Sequence, residues 1–290
     1  MADLIGRVIR LRDHPDPAPA EPRVLHGGRR IPVHPWGTHM RMRATVAAVS
    51  GALALSALAV PAAQADGGYG DTRITKVVVD GDNKVTVGAT AKSIKVSVTA
   101  VDNSGILSAD AFDLYGPDLG LLSTGRPVCK AASSTTSTCT ASVLVDPRTD
   151  YLTNANAGTW YVDAWIDARD GDFVWKQKSG SFKFQRATKL TANATPEPVK
   201  KGRTLTVTGK LTRVNWETLK YGNYTGQSVQ LQFRKKSAKT YTTLKTVKTN
   251  SKGDLRTTVK ASVDGYYRYV YAGNSISAAV TSAADFVDVK

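Results

Sequence analysis

The chain has four histidines, His14, His26, His34 and His39, and none after them. Imidazole is the usual proton shuttle near neutral pH, so acid–base chemistry in the rest of the chain would fall to carboxylates. Glutamate there is limited to Glu197 and Glu217. Two aspartates could serve a glycosidase-type reaction, and Asp163, Asp167, Asp170 and Asp172 are close in sequence. They lie on or beside one predicted hairpin, however, where solvent leaves a carboxyl group ionised and a poor acid. No Ser-x-x-Lys, Gly-x-Ser-x-Gly, Walker loop or Cys/His metal spacing occurs. The expectation is a protein that is not an enzyme, with no catalytic residues and no cofactor.

The same four aspartates suggest a different chemistry. Ca²⁺ takes six to eight hard oxygen ligands, and Asp163, Asp167, Asp170 and Asp172 could supply some, with Asp102 and Asn103, or Asp80 and Asp82, elsewhere in the same module. The spacing is not that of an EF-hand, and Arg169 sits inside the group. Asp and Asn also populate turns for local backbone reasons. Turn chemistry is therefore the first expectation, and calcium held by these residues the alternative.

Charge is distributed unevenly. Residues 66–186 hold 13 Lys plus Arg against 14 Asp plus Glu, a net of −1, whereas residues 187–290 hold 18 against 6, a net of +12. Such asymmetry points to a polyanionic partner for the basic half, although charge can also serve solubility alone. Lys200, Lys201, Arg203, Arg234, Lys235, Lys236 and Lys239 are the candidate polyanion-binding residues, with Lys245, Lys248 and Lys252 extending the set, and their partial alternation would let them share a strand face. Residues 213–226 read as a connection longer than usual, carrying Trp216, Lys220, Tyr221 and Tyr224. Such a loop could stack on sugar rings or bases, or its aromatics could fold back to cap a sandwich. An anionic cell-wall or extracellular polymer is the expected partner. No recognition motif favours a specific nucleic acid.

These residues need a frame, and the pattern predicts an all-β one. Ile94, Val96, Val98 and Ala100 alternate with Lys95, Ser97 and Thr99, as a half-buried strand requires. Leu205, Val207, Gly209 and Leu211 repeat the beat, as do Val229, Leu231 and Phe233. Turn signals such as Asp80-Gly81, Asp170-Gly171 and Asp264-Gly265 divide the runs. The spacing predicts two immunoglobulin-like antiparallel β-sandwiches in tandem, residues 66–186 and 187–290. In the first, strands 159–169 and 172–178 form a hairpin through a two-residue type I′ turn at Asp170-Gly171, with Trp160, Val162, Ala164 and Ile166 facing the core, and a separate strand 181–185 brings Phe182 and Phe184 inward. In the second, Thr195-Pro196-Glu197-Pro198 interrupts the first strand, which suits an edge or a switch between sheets. Gly158-Thr159-Trp160-Tyr161-Val162 and Gly265-Tyr266-Tyr267-Arg268-Tyr269 share Gly-x-aromatic-x-apolar, a pattern that resembles the tyrosine corner of immunoglobulin-like domains.

Arg41 and Arg43, the apolar run 44–60 and Ala63-Gln64-Ala65 have the order of a secretory signal peptide with its cleavage site. Residues 40–65 are accordingly read as that signal. Residues 1–39 are read as a mis-assigned or disordered leader, with translation beginning at Met40 or Met42; a metal-binding role for its four histidines is the rival view. The expected location is extracellular, in association with the cell wall, with no membrane span. In that oxidising compartment Cys129 and Cys139, the only thiols, should pair. Closing so short a loop would stabilise the fold by roughly 2–3 kcal/mol.

Several segments carry a family likeness. They are Ala164-Trp165-Ile166-Asp167-Ala168-Arg169-Asp170-Gly171-Asp172 and Phe182-Lys183-Phe184-Gln185-Arg186 in the first half, and Pro196-Glu197-Pro198-Val199-Lys200-Lys201-Gly202, Gly226-Gln227-Ser228-Val229-Gln230-Leu231-Gln232-Phe233 and Tyr269-Val270-Tyr271-Ala272-Gly273 in the second. Residues 66–290 resemble the secreted two-module immunoglobulin-like proteins of high-GC Gram-positive bacteria, a group of unknown function sometimes labelled calcium-binding. The resemblance implies a fold and a location and brings no catalytic residues.

Overall fold

The alternation of apolar and polar residues produces strands throughout the computed structural model, which describes residues 66–290. Residues 1–65, which include the segments read as leader and signal and all four histidines, lie outside the described residues. The fold is all-β, with two immunoglobulin-like sandwiches in tandem.

In the first sandwich one sheet is ordered Arg73–Val79, Lys92–Val101, Thr136–Val145, Val128–Ala131. The other is ordered Gly67–Tyr69, Phe173–Arg186, Gly158–Ala168, Asp113–Tyr115, Leu121–Ser123, with Ile106–Ala109 added beside Gly158–Ala168. Lys84–Val87 joins Phe173–Arg186 in parallel. Ile94, Val96, Val98 and Ala100 from one sheet and Trp160, Val162, Ala164, Ile166, Phe182 and Phe184 from the other are all buried in a single core. Burying each of the larger side chains contributes about 1.5–3 kcal/mol. On the outer face, hydroxyl pairs Ser97–Thr140 and Thr99–Thr138 bridge neighbouring strands. Cys129 and Cys139 sit directly opposite one another on adjacent strands and are disulfide-bonded.

Two local expectations are corrected. The hairpin loop holds three residues, 169–171, closed by the Ala168 amide donating to the Asp172 carbonyl at 2.8 Å. Only Gly171 takes a positive φ, +94°; Asp170 does not, so this is the three-residue hairpin whose last position favours glycine, and not a type I′ turn. The predicted separate strand 181–185 is instead the continuation of Phe173–Arg186. Lys178 at φ +54° and a register shift opposite Val162/Ala164 absorb an irregularity without ending the strand.

The second sandwich packs Thr204–Asn215, flanked by Thr188–Leu190, Asn193–Thr195, Asp254–Lys260 and Lys220–Asn223, against a sheet ordered Thr242–Lys248, Ser228–Lys235, Gly265–Tyr271, Val280–Thr281. Asp285–Val287 also pairs with Gly265–Tyr271. The proline segment is a sheet switch: Asn193–Thr195 pairs with Thr204–Asn215, and beyond the prolines Val199 bridges to Val289 in the other layer. Leu205, Val207, Leu211, Val229, Leu231, Tyr267 and Tyr269 fill this core. The two echo segments tie back through different positions, the central aromatic in the first and the final residue in the second. Trp160 Nε1 donates to the Asn156 carbonyl four residues upstream, at 2.7 Å, whereas the Tyr269 hydroxyl crosses the sandwich to the Val207 carbonyl at 3.0 Å.

Candidate functional site

Residues 213–226 are not a free loop. The strand Thr204–Asn215 runs through Arg213, turns, and returns as Lys220–Asn223. The turn inserts Trp216, 1% exposed, into the first sandwich, where its ring lies 5.3 Å from that of Phe184 and its Nε1 donates to the Val87 carbonyl at 3.2 Å. Tyr224 is buried beneath Arg213, whose guanidinium carbon is 4.1 Å from the ring. Neither aromatic is free to stack on a ligand: of the two expectations for this segment, Trp216 and Tyr224 follow the one in which the aromatics fold back and pack, and the ligand-loop expectation is corrected for them. Lys220 remains exposed, and Tyr221 is half-buried beneath Lys189, 4.0 Å away.

The neighbouring strands reinforce this junction. Arg186 is buried, and its Nε donates to the Val214 carbonyl at 2.8 Å. Its backbone exchanges hydrogen bonds with Ile276 and Ala278. Burial lowers the Arg186 pKa to about 10, with repulsion from Arg213 adding to it and Glu217 opposing. The group thus stays charged at neutral pH, and the Glu217 carboxylate also accepts from the Asn154 amide at 3.1 Å.

The four aspartates expected to share calcium do not converge. Asp163 accepts from the Trp175 indole and Asp167 from the Trp165 indole, each at 2.8 Å. Burial raises the Asp163 pKa; the Trp175 hydrogen bond opposes this and Asp113 adds to it. Asp170 caps its own turn by accepting from the Asp172 amide at 3.2 Å. Only Asp172 joins an acidic group, and its partners are Asp71 and Asp102, the carboxylate oxygens all within 4.8 Å. Those oxygens have local partners: Asp172 accepts from the Asp71 amide, Asp71 from the Asn103 side chain, and Asp102 from the hydroxyls of Thr72 and Ser104, both at 2.6 Å. The group ties the segment around Asp71 to two turns, a convergence that depends on tertiary pairing and leaves no spacing signal in the sequence.

Asp102 gives this knot a pH signature. Burial alone would raise its pKa, but the hydroxyls of Ser104 and Thr72 and the Ser104 amide together outweigh it and hold the pKa below the ordinary carboxylate value. A depressed folded-state pKa stabilises the fold above the unfolded value and loses that contribution as pH falls through the folded one. Asp102→Asn is expected to destabilise the protein at pH 7 by about 1–3 kcal/mol and to flatten the decline in stability below about pH 4. Denaturant titrations from pH 7 to pH 2 check this; an unchanged acid limb would contradict it.

The predicted cations gather at one end of the second sandwich, the end remote from Trp216. Backbone hydrogen bonds join four segments there: Lys201 to Lys290, Lys290 to Val199, Gly202 to Ala261, and Lys236 to Asp264, at 2.7–2.9 Å. Lys200, Lys201, Arg203, Lys235, Lys236 and Lys239 are exposed on this braced end, joined by Lys260 and Lys290, which the sequence reading did not single out. Two open clefts of about 600 Å³ each lie here, one lined by Lys201, Lys235, Lys236, Lys290 and Asp264, the other by Lys200, Arg203, Lys260 and the two prolines of the sheet switch. Acidic neighbours are few. Asp264 is 3.9 Å from Lys236 and Asp288 is 3.8 Å from Lys290, while Lys200, Lys201, Arg203, Lys235 and Lys239 form no ion pair among the described residues. The cations occupy turns and strand ends and do not share the sheet face expected from alternation. Lys245 turns its Nζ to the Thr258 carbonyl, and Lys248 and Lys252 belong to the opposite end.

No family model and no curated protein matches the chain. Among solved structures, the chain is similar to a DUF4785 family protein from Legionella pneumophila at 12% identity and TM-score 0.37, covering 75% of this chain and 56% of that one. It is also similar to the D00-D0 domain of Intimin at 10% identity and TM-score 0.26, covering 73% and 99%, and to the mouse nectin-like molecule 4 ectodomain at 14% and 0.22, covering 77% and 64%. The chain spans about half the length of the Legionella protein, and 20% of PorU from Porphyromonas gingivalis, to which it is also similar. Likeness at this level identifies neither a family nor an activity.

Proposed function

We propose that this is an exported, non-enzymatic binding protein whose second sandwich attaches to anionic polymers of the cell wall or extracellular space. One observation carries the proposal: exposed lysines and Arg203 from four chain segments meet at one braced end with few carboxylates among them. Fixed positive charge of this kind concentrates a polyanion through long-range attraction that salt screens. No helix among the described residues is long and apolar enough to cross a membrane.

Co-sedimentation of the purified protein with isolated bacterial cell walls tests the proposal. Binding at low salt that is unaffected by added calcium or by a chelator is expected. Binding that requires calcium would favour the metal alternative, and a protein that stays in the supernatant at low salt would overturn the attachment reading.

A further inference from the structure

The outer face of the sheet built on Ser228–Lys235 and Gly265–Tyr271 presents guanidinium groups held in place by aromatic rings. Arg268 lies with its guanidinium carbon 3.6 Å from the centre of the Tyr241 ring. Arg234 leans on the same ring at 5.3 Å and on Tyr266 at 4.2 Å, and Tyr266 packs against Phe286 at 5.1 Å. Register explains the arrangement. Arg234 is paired with Tyr266 and Gln232 with Arg268, so the two arginines are diagonal neighbours, about 7–8 Å apart along the sheet. The outward positions Gln230, Gln232, Arg234, Tyr266, Arg268, Val270 and Phe286 include no carboxylate. The nearby Asp285 turns away to accept from the Ala194 amide at 2.7 Å.

Neither guanidinium has an acidic partner among the described residues. Arg234 Nη1 donates to the Ala238 carbonyl and Arg268 Nε to Gln232 Oε1, at 2.7 and 3.0 Å. The remaining N–H groups have no partner among the described residues. Stacking fixes the plane of each guanidinium, so its fork is organised before a ligand arrives, and a planar fork matches a carboxylate in bidentate fashion. Gln230 and Gln232 lie alongside; Gln232 Nε2 and the Thr243 hydroxyl both donate to Gln230 Oε1 at 3.3 Å, which leaves the Gln230 amide N–H groups and one lone pair of Gln232 Oε1 to donate to and accept from a hydroxyl group. The Tyr241 ring is already covered by a guanidinium, which suits it to supporting arginine and not to stacking on a base.

We infer that this face binds a carboxylated polysaccharide, the arginine forks taking its carboxylates and the glutamine amides its hydroxyls. The inference rests on the polyanion-attachment reading and deepens it. The basic end supplies general attraction, and the adjoining face, reached through Arg234 and Lys235, supplies selection for an acidic sugar chain.

The test compares polygalacturonate, which has both carboxylates and hydroxyls, with polyacrylate, which has carboxylates alone, using equal charge concentration and the same salt. The wild-type protein should bind polygalacturonate roughly tenfold more tightly, the order expected for one or two well-placed amide–hydroxyl hydrogen bonds that polyacrylate cannot form. Arg268→Lys combined with Gln232→Ala keeps the charge but removes a fork and an amide; it should erase the preference and leave polyacrylate binding within about twofold. An unchanged melting temperature certifies the variant, and the wild-type comparison stands without it. Equal affinity of the wild type for the two polymers overturns the inference while leaving polyanion attachment intact. Tighter binding to single-stranded oligothymidylate than to polygalacturonate also overturns it. Binding to none of the three removes both.

Discussion

Trp216→Ala is expected to destabilise the protein by about 3–5 kcal/mol, the usual cost of deleting a buried aromatic side chain, and to make the two sandwiches melt separately. Trp216 belongs by sequence to the second sandwich and by packing to the first: it is 1% exposed, lies against Phe184 and donates to the Val87 carbonyl. Its removal opens a cavity in the first core and takes one of two donors from that carbonyl, which still accepts from the Ala187 amide. The hydrogen bonds of the Arg186 side chain to Val214 and of its backbone to Ile276 would remain, so folding of each half should survive while their coupling weakens. Calorimetry reads both effects. Trp216→Phe keeps most of the apolar volume and should lie between wild type and alanine. A single transition at the wild-type temperature in the alanine variant would show that the ring does not hold the halves together.

Reversing three charges at the basic end should have the largest effect on binding. Lys201, Lys235 and Lys239 are exposed and form no ion pair among the described residues, so glutamate at these positions removes no internal partner. Each lysine close to an anionic surface contributes on the order of fivefold in affinity, and the triple variant should bind anionic polymer about a hundredfold more weakly at low salt. Stability should change little, because surface substitutions away from packed features usually lie within about 0.5 kcal/mol. A triple variant that retains wild-type affinity would move the binding surface elsewhere.

The contrast between these two regions shows what the sequence makes legible. Strand periodicity is written locally, so the inward set Trp160, Val162, Ala164 and Ile166 could be assigned from spacing alone, and each is buried. The disulfide follows from there being only two cysteines and a compartment argument. Trp216 is different. Asn215 before it and Thr218 and Leu219 after it look like a loop, and nothing within the segment names Val87 or Phe184 as its partners, which lie far back in the chain.

The acidic and basic groups follow the same rule. Asp170 and Asp172 are neighbours in sequence, yet only Asp172 meets Asp71 and Asp102, because those residues arrive through separate turns. The sequence singled out Lys200, Lys201 and Lys235 as cationic without showing that Lys260 and Lys290 end beside them. Tyr241, Tyr266 and Arg268 carry no signal of a binding face in the sequence, Tyr266 and Arg268 entering only as part of the aromatic echo, since their contact with Arg234 depends on strand register, and a shift of one residue would send each to the opposite face.

Salt dependence tests the central claim most directly. Affinity for isolated anionic wall polymer would be measured for wild type and the Lys201→Glu, Lys235→Glu, Lys239→Glu variant across increasing salt. Electrostatic attachment predicts a linear fall of log affinity with log salt for wild type, and a markedly shallower line for the variant, because fewer counterions are released on binding. A wild-type affinity that is indifferent to salt, or two lines of equal slope, would contradict attachment through this end of the second sandwich.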